Sequence, residues 1–177
     1  MAITYFARAI GAARSGNPAA AKADVVKLAE IRDKLREIKN DYWAGQVDVQ
    51  EQAANAWTLY ADGKYDDALK AMSAAAVAED NSEKSPVTPG PPAPARELYG
   101  FMLLDRGMAR EALAAFEATM AKEPNRFNGY VGAAKAAQAI GDTMKAKADY
   151  EKLVALAAGS DSERPTLAAA RAFVASN

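Results

Sequence analysis

The chain has 177 residues, with 22 Lys and Arg against 23 Asp and Glu, so its formal net charge is -1. A near-neutral chain lacks the positive field that attracts nucleic acid or an anionic membrane, and we expect neither partner. Because cysteine and histidine are absent, thiol chemistry, imidazole bases and the commonest metal ligands are excluded. We therefore expect no enzymatic activity, no cofactor and no metal site.

Apolar periodicity predicts nine helices in chain order. Asn17 and Pro18 begin the second helix as an N-cap and a first-turn proline, and the polar pair Asn40-Asp41 follows its end. The apolar stripe of this second helix indicates a face against the core, with a coiled coil as the alternative. The predicted helices span 3–15, 18–40, 46–61, 66–79, 95–106, 109–122, 127–140, 143–157 and 165–175.

A proline-rich segment separates the fourth and fifth predicted helices. Residues 86–94 contain five of the eight prolines, so residues 81–94 cannot be helical and are expected to run extended, near polyproline II. The segment is either a rigid connector between its flanking helices or a polyproline ligand for another domain. Helices on both sides constrain it, which favours the connector.

A glycine marks the turn of four helical hairpins. An alanine follows each glycine by five residues, and a larger apolar residue comes four positions later. The glycines are Gly16, Gly63, Gly107 and Gly141; the alanines are Ala21, Ala68, Ala112 and Ala146; the apolar residues are Val25, Met72, Phe116 and Tyr150. A helical hairpin used four times indicates an architecture for binding rather than catalysis.

The pattern resembles the tetratricopeptide repeat family, whose unit is about 34 residues long. Residues 93–126 match the family's pattern best. They have an aromatic residue followed by glycine, then an apolar residue, the alanine and the large apolar residue after the turn glycine, and a proline near the end of the unit. The matching residues of 93–126 are Tyr99, Gly100, Leu103, Ala112, Phe116 and Pro124.

The spacing of the turn glycines shows where the repeat is regular. Gly107 and Gly141 stand one family period apart, whereas the two earlier gaps are wider. Relative to that period, the gaps from Gly16 to Gly63 and from Gly63 to Gly107 imply insertions of about 13 and about 10 residues. The last two units are therefore predicted to be regular and the first two divergent.

The resemblance implies an all-α fold in which antiparallel helix hairpins form a right-handed superhelix. It implies one domain over 1–177, with units at approximately 2–35, 49–82, 93–126 and 127–160, a proline-rich connector at 83–94 and a capping helix at 165–175. It also implies close helix crossings at two positions of each unit, where every residue is small. These pairs are Ala9/Ala21, Ala56/Ala68, Gly100/Ala112 and Ala134/Ala146.

In this family the first helices of the hairpins line a groove that binds a peptide or protein partner. The same side chains could instead be core residues that pack on a neighbouring helix or under the proline-rich segment. Any specific site is expected at the irregular junction between Trp57 and Phe101. The candidate partner-binding residues are Trp57, Tyr60, Glu97, Phe101, Leu104, Asn128 and Lys135.

The expected function is a protein-interaction scaffold with a protein or peptide partner. The alternative is a self-assembly or intramolecular docking module, in which a homo-oligomer or a larger protein covers the groove. The resemblance further implies the C-terminal repeat region of a larger bacterial protein. No stretch approaches the roughly 20 apolar residues of a membrane-spanning helix, and the start has no signal-peptide pattern. Composition leaves the cytoplasm and the periplasm equally open.

Overall fold

The computed structural model describes residues 1–82, 90–162 and 164–176. Throughout those ranges the regular secondary structure is helical, and it comprises nine helices. Each predicted helix is present, so the all-α prediction is confirmed. The helices are α1 (Ala2–Arg14), α2 (Pro18–Glu37), α3 (Asp41–Ala61), α4 (Tyr65–Asp80), α5 (Ala95–Asp105), α6 (Ala109–Lys122), α7 (Phe127–Ala139), α8 (Thr143–Leu156) and α9 (Pro165–Ser176).

Two of the predicted boundaries were wrong. Helix α2 ends at Glu37 rather than at residue 40, because Lys39 takes a left-handed conformation with φ 56°. Helix α3 then begins at Asp41, five residues before the predicted start. The Asn40 side chain accepts a hydrogen bond from the Trp43 N–H at 3.4 Å, so Asn40 caps α3. The polar pair is therefore the start of a helix as well as a break.

The four turn glycines all adopt the left-handed conformation that their positions predict. Gly16, Gly63, Gly107 and Gly141 have φ values of 78°, 79°, 74° and 82°. Residues with a Cβ rarely adopt this conformation, which explains why glycine recurs at each hairpin turn.

The chain divides into two compact units, Met1–Leu98 and Tyr99–Asn177. In the first unit, α1 packs on α2 and α3, and α3 packs on α2 and α4. Small side chains let the helix backbones approach closely there, as the repeat pattern predicts. The assignment of 1–177 to a single domain of four units stays a prediction. The predicted crossing residues of the first unit are completely buried: Ala9, Ala21, Ala56 and Ala68.

Ion pairs supplement the apolar contact between α2 and α3. Arg32 on α2 pairs with Glu51 and, at 3.4 Å, with Asp48 on α3. Asp48 also accepts a hydrogen bond from Gln52 at 2.9 Å. Burial raises the pKa of Glu51 above its ordinary value of 4.5, and this effect outweighs the opposing influence of Arg32. The α2–α3 contact thus includes a partly desolvated carboxylate.

The second unit is organised around Phe116 on α6, which is completely buried. A Cβ added to Gly100 would lie 2.7 Å from the Phe116 ring, and one added to Gly132 would lie 2.3 Å from it. Helices α5 and α7 therefore approach the ring through glycines. Beyond them, α9 packs on α8. The cluster at that end of the unit comprises Val131, Ala134, Tyr150, Leu153 and Ala170.

Candidate functional site

Trp57, a predicted groove residue, belongs to the core of the first unit. Its side chain is 2% exposed, and the Arg14 guanidinium lies 5.2 Å from its ring centroid. Tyr60 is half-buried and meets the Trp57 ring edge-on, with 5.3 Å between centroids. The Trp57 indole Nε1 has no hydrogen-bond partner among the described residues. Trp57 is therefore a core residue with little surface open to a partner.

The other predicted residues differ widely in exposure. Glu97, in the first unit, is 1% exposed. In the second unit, Phe101 is half-buried, and its ring lies 4.9 Å from that of Phe116, so it is anchored in the unit's core. The seven residues are divided between the two units, and the groove that includes them all stays a prediction. Leu104 is also half-buried, whereas Asn128 and Lys135 on α7 are exposed.

The first unit contains a pocket of about 150 Å³ on the face of α1 and α3. It reaches the surface, because Ile3 and Trp43 line it and are 57% and 47% exposed. Its walls come from α1, from α3, from the end of α4 and from the segment before α5. The lining residues are Ile3, Phe6, Tyr42, Trp43, Gln46, Val49, Gln50, Ala53, Glu79, Gly90, Pro91, Pro92, Ala93 and Ala95.

Much of the pocket is built from residues that do not fit the repeat. Relative to the predicted units, the two insertions cover residues 36–48 and 83–92. The first insertion adds the opening turns of α3, and the described part of the second precedes α5. Both meet at one pocket, although a whole predicted unit lies between them in the chain. The first contributes Tyr42, Trp43 and Gln46 to the lining, and the second contributes Gly90, Pro91 and Pro92.

Aromatic rings form the rim of the pocket. The rings of Tyr42 and Trp43 meet edge-on, with centroids 5.1 Å apart and planes at 76°. Such pairs are rigid apolar surfaces, and tryptophan and tyrosine are the residues most enriched at binding hot spots. An exposed tryptophan beside a pocket is therefore a typical feature of a recognition surface.

Two glutamines add polarity to these apolar walls. Gln46 and Gln50 both line the pocket and are half-buried. The Gln50 Oε1 atom is buried, and none of the described residues donates a hydrogen bond to it. An unsatisfied buried acceptor costs about 1–3 kcal/mol, so a donor that reaches it is favoured.

The proline segment is anchored to the rest of the unit where it enters α5. Glu79 Oε2 accepts a hydrogen bond from the Ala95 N–H at 2.7 Å, which satisfies a donor at the start of α5. Arg96 Nε donates to Asp80 Oδ2, also at 2.7 Å. These contacts join the last turn of α4 to the first turn of α5, and we call them the neck. The described prolines Pro91 and Pro92, just before the neck, line one wall of the pocket. Residues 83–89 of the predicted connector lie outside the described residues.

Reactive chemistry is not indicated by the side chains that line this pocket. They are apolar, aromatic or amide groups, together with Glu79, whose carboxylate binds the Ala95 N–H. Over the described part of the chain, no three carboxylates cluster as metal ligands would. None of the helices described is both long and apolar enough to span a bilayer. The arrangement is suited to binding an apolar group.

Comparison with known proteins gives a consistent result for the fold. No protein-family model matches the sequence, and no curated protein matches it significantly. Among solved structures, PcrH from Pseudomonas aeruginosa is similar over 72% of this chain and 89% of its own, with 21% identity and a TM-score of 0.57.

Two further structures extend the similarity to nearly the whole chain. The TPR-like repeats of a putative kinesin light chain from Podosopora anserina cover 98% of this chain and 83% of their own, with 18% identity and a TM-score of 0.63. The chain has a tetratricopeptide-repeat-like fold. A MamA RS-1 double mutant covers 99% of it and 93% of its own chain, with 18% identity and a TM-score of 0.54. At identities this low, the structural similarity shows the fold alone. Function is therefore argued from the geometry of the site.

Proposed function

We propose that this tetratricopeptide-repeat-like protein is an interaction scaffold that binds a protein or peptide partner on the first helices of its hairpins. The observation that carries the proposal is the open aromatic pocket between α1 and α3. An apolar anchor of the partner would enter this pocket, with Tyr42 and Trp43 at its rim. Hairpin repeats commonly use such a face for recognition.

The residues predicted from the sequence have distinct roles in this proposal. In the first unit, Tyr60 borders the binding face, while Trp57 and Glu97 support it from within because both are buried. In the second unit the corresponding face is that of α5 and α7. Its proposed partner-binding residues are Phe101, Leu104, Asn128 and Lys135.

A random-peptide display selection against the whole chain tests the proposal. Selected peptides are synthesised with a fluorophore, and their affinities are measured by anisotropy for the wild type and for Trp43→Ala. Loss of a central aromatic anchor is expected to weaken binding about tenfold or more. The matched control is Ile38→Ala, because Ile38 is 71% exposed and lies outside the pocket. Equal losses in both variants, or none in either, would contradict the proposal.

Light scattering distinguishes the self-assembly alternative. A molar mass that rises with concentration for the wild type but not for Trp43→Ala would assign the pocket to contacts between copies. A constant monomer mass, together with peptide binding that depends on Trp43, supports the scaffold.

A further inference from the structure

We infer that the pocket between α1 and α3 takes a tyrosine side chain of the partner, with its ring among the apolar walls and its hydroxyl on Gln50. This inference rests on the proposed function, because it names the anchor that the scaffold would recognise. Three features of the pocket support it: its size, the chemistry of its walls and its unsatisfied acceptor.

The size of the pocket selects a single ring. Its volume is about 150 Å³. A protein cavity of about that volume is known to hold one benzene molecule. The volume therefore matches a single six-membered ring better than the larger bicyclic ring of tryptophan.

The walls favour an aromatic ring over an aliphatic side chain. Phe6 and Tyr42 belong to different helices, and Pro91 belongs to the segment before α5, so rings come from three parts of the first unit. An inserted aromatic ring would gain edge-to-face or offset contacts beyond its area of burial. The neck fixes the start of α5, a few residues after Pro91 and Pro92.

Gln50 distinguishes tyrosine from phenylalanine. Its Oε1 is buried and lacks a donor among the described residues. The last side-chain torsion of glutamine is broad, so a small rotation can turn this oxygen toward a ligand. The hydroxyl of tyrosine can donate to it, whereas phenylalanine would leave the acceptor unsatisfied.

The test uses amino-acid derivatives as probes and nuclear magnetic resonance as the readout. The whole ¹⁵N-labelled chain is titrated with N-acetyl-tyrosine amide, N-acetyl-phenylalanine amide and N-acetyl-leucine amide. The Trp43 indole and Gln50 side-chain signals report on the pocket, and the indole of buried Trp57, which does not line it, is the internal reference. We expect the tyrosine probe to bind about three- to tenfold more tightly than the phenylalanine probe, with saturable shifts at Trp43 and Gln50.

Two variants make the test specific. Gln50→Leu removes the acceptor while keeping an apolar side chain of similar length, and replacing an unsatisfied buried amide should be tolerated. It should equalise the affinities of the tyrosine and phenylalanine probes. Ile3→Trp should obstruct the pocket and abolish both sets of shifts. Its control is Val26→Trp, because Val26 is 55% exposed against 57% for Ile3 and lies away from the pocket.

The outcomes separate this inference from the proposed function. Equal tyrosine and phenylalanine affinities in the wild type, or tighter binding of the leucine probe, would overturn the tyrosine assignment. If displayed peptides still depend on Trp43 in that case, the scaffold proposal survives. A tyrosine preference that persists in Gln50→Leu would also overturn the role of Gln50. If no probe shifts the Trp43 signal and Trp43→Ala leaves peptide binding unchanged, both proposals fail.

Discussion

The two units of the molecule pack similar helical hairpins by different means. In the second unit the turn glycines are spaced by the family's own period, and the Phe116 ring lies against Gly100 and Gly132. In the first unit the turn glycines are more widely spaced, and ion pairs of Arg32 supplement the α2–α3 contact. Both units also have buried alanines at their crossings and an ion pair between helices, so the glycine contacts of the Phe116 ring are what distinguishes the second unit.

This difference shows which residues of the first unit lie outside the repeat pattern. Residues at the repeat positions are committed to helix crossings, and a change there disturbs the packing of the unit. The inserted turns of α3 and the described prolines lie outside the predicted crossing positions, although Ala44 and Val47 of those turns are buried. They present Trp43 and Pro91 at an open pocket.

The largest expected effect comes from truncating the central ring of the second unit. Phe116→Ala should lower the free energy of unfolding by about 3–5 kcal/mol, because it leaves a cavity beneath α5 and α7. Urea denaturation followed by circular dichroism measures the loss. Tryptophan fluorescence is the internal reference, since Trp43 and Trp57 both lie in the first unit. A loss below about 1 kcal/mol would show that Phe116 is not the centre of the unit.

The neck of the first unit provides the second prediction. Glu79→Ala should cost about 1.5–3 kcal/mol, because it removes a charged acceptor of the buried Ala95 N–H. Glu79→Gln keeps an acceptor oxygen and should recover much of this loss. Thermal denaturation of the two variants measures the difference, and Trp43 emission reports whether the proline wall has moved. Identical melting temperatures for both variants would contradict the role of the hydrogen bond.

A pair of glycine substitutions compares the packing of the two units directly. Gly132→Ala should destabilise the second unit by about 1–3 kcal/mol, because its Cβ would lie 2.3 Å from the fully buried Phe116 ring. Gly45→Ala in α3 meets no atom within 4 Å, so it should stabilise the first unit by about 0.5–1 kcal/mol. Urea denaturation should show a lower free energy of unfolding for Gly132→Ala and a higher one for Gly45→Ala. Destabilisation by both changes would contradict it.

The smallest expected effect is a pH dependence at the α2–α3 contact. Burial raises the pKa of Glu51, so the folded chain holds this proton to higher pH than the unfolded chain. The contribution of Glu51 to the free energy of unfolding should therefore fall as pH rises from its ordinary pKa through the raised one. Glu51→Gln lacks this titration. The stability of the wild type relative to the variant should decrease over that window.

The measurement compares the unfolding free energies of the wild type and of Glu51→Gln, because the pKa of a neighbouring group, Asp33, is shifted in the opposite direction. The hydrogen bond from Arg32 lowers the pKa of Asp33, so the contribution of Asp33 is lost as pH falls. Arg32, Asp33 and Asp48 are the charged groups that act on Glu51. Urea denaturation of both proteins at several pH values is the measurement. A difference that grows as pH rises would refute the assigned direction of the Glu51 pKa shift.

Most of the fold could be predicted from local patterns. The turn glycines have the left-handed conformation inferred from their recurrence, and the paired small residues are buried at the crossings. The predicted start of α3 was wrong, because the polar pair Asn40-Asp41 is typical of a break between helices as well as of a helix start. Asn40 is also a favourable N-cap, and that signal could have located the start of the helix.

The candidate site could be predicted only in outline. The glycine spacing predicts the two insertions that line the pocket, whereas a site at the junction between Trp57 and Phe101 stays a prediction. Trp57 occupies a predicted groove position, but it is buried in the core, where the Arg14 guanidinium and the Tyr60 ring lie near its indole. Burial depends on neighbours that repeat position does not specify. Repeat positions indicate candidate binding residues only inside the units. They therefore do not indicate Tyr42 and Trp43, which line the pocket.

Local patterns in the chain specify the helices, the hairpin turns and the close crossings. Each depends on residues a few positions apart, or on a pattern that returns with every repeat. The tertiary structure decided the pocket, the neck and the Phe116 contacts. Ile3 in the first helix shares a pocket with Trp43 in the third and with Pro91 before the fifth, and only packing of the whole unit brings them together. Helix periodicity is local, whereas the shape of a binding site depends on contacts that are distant in the chain.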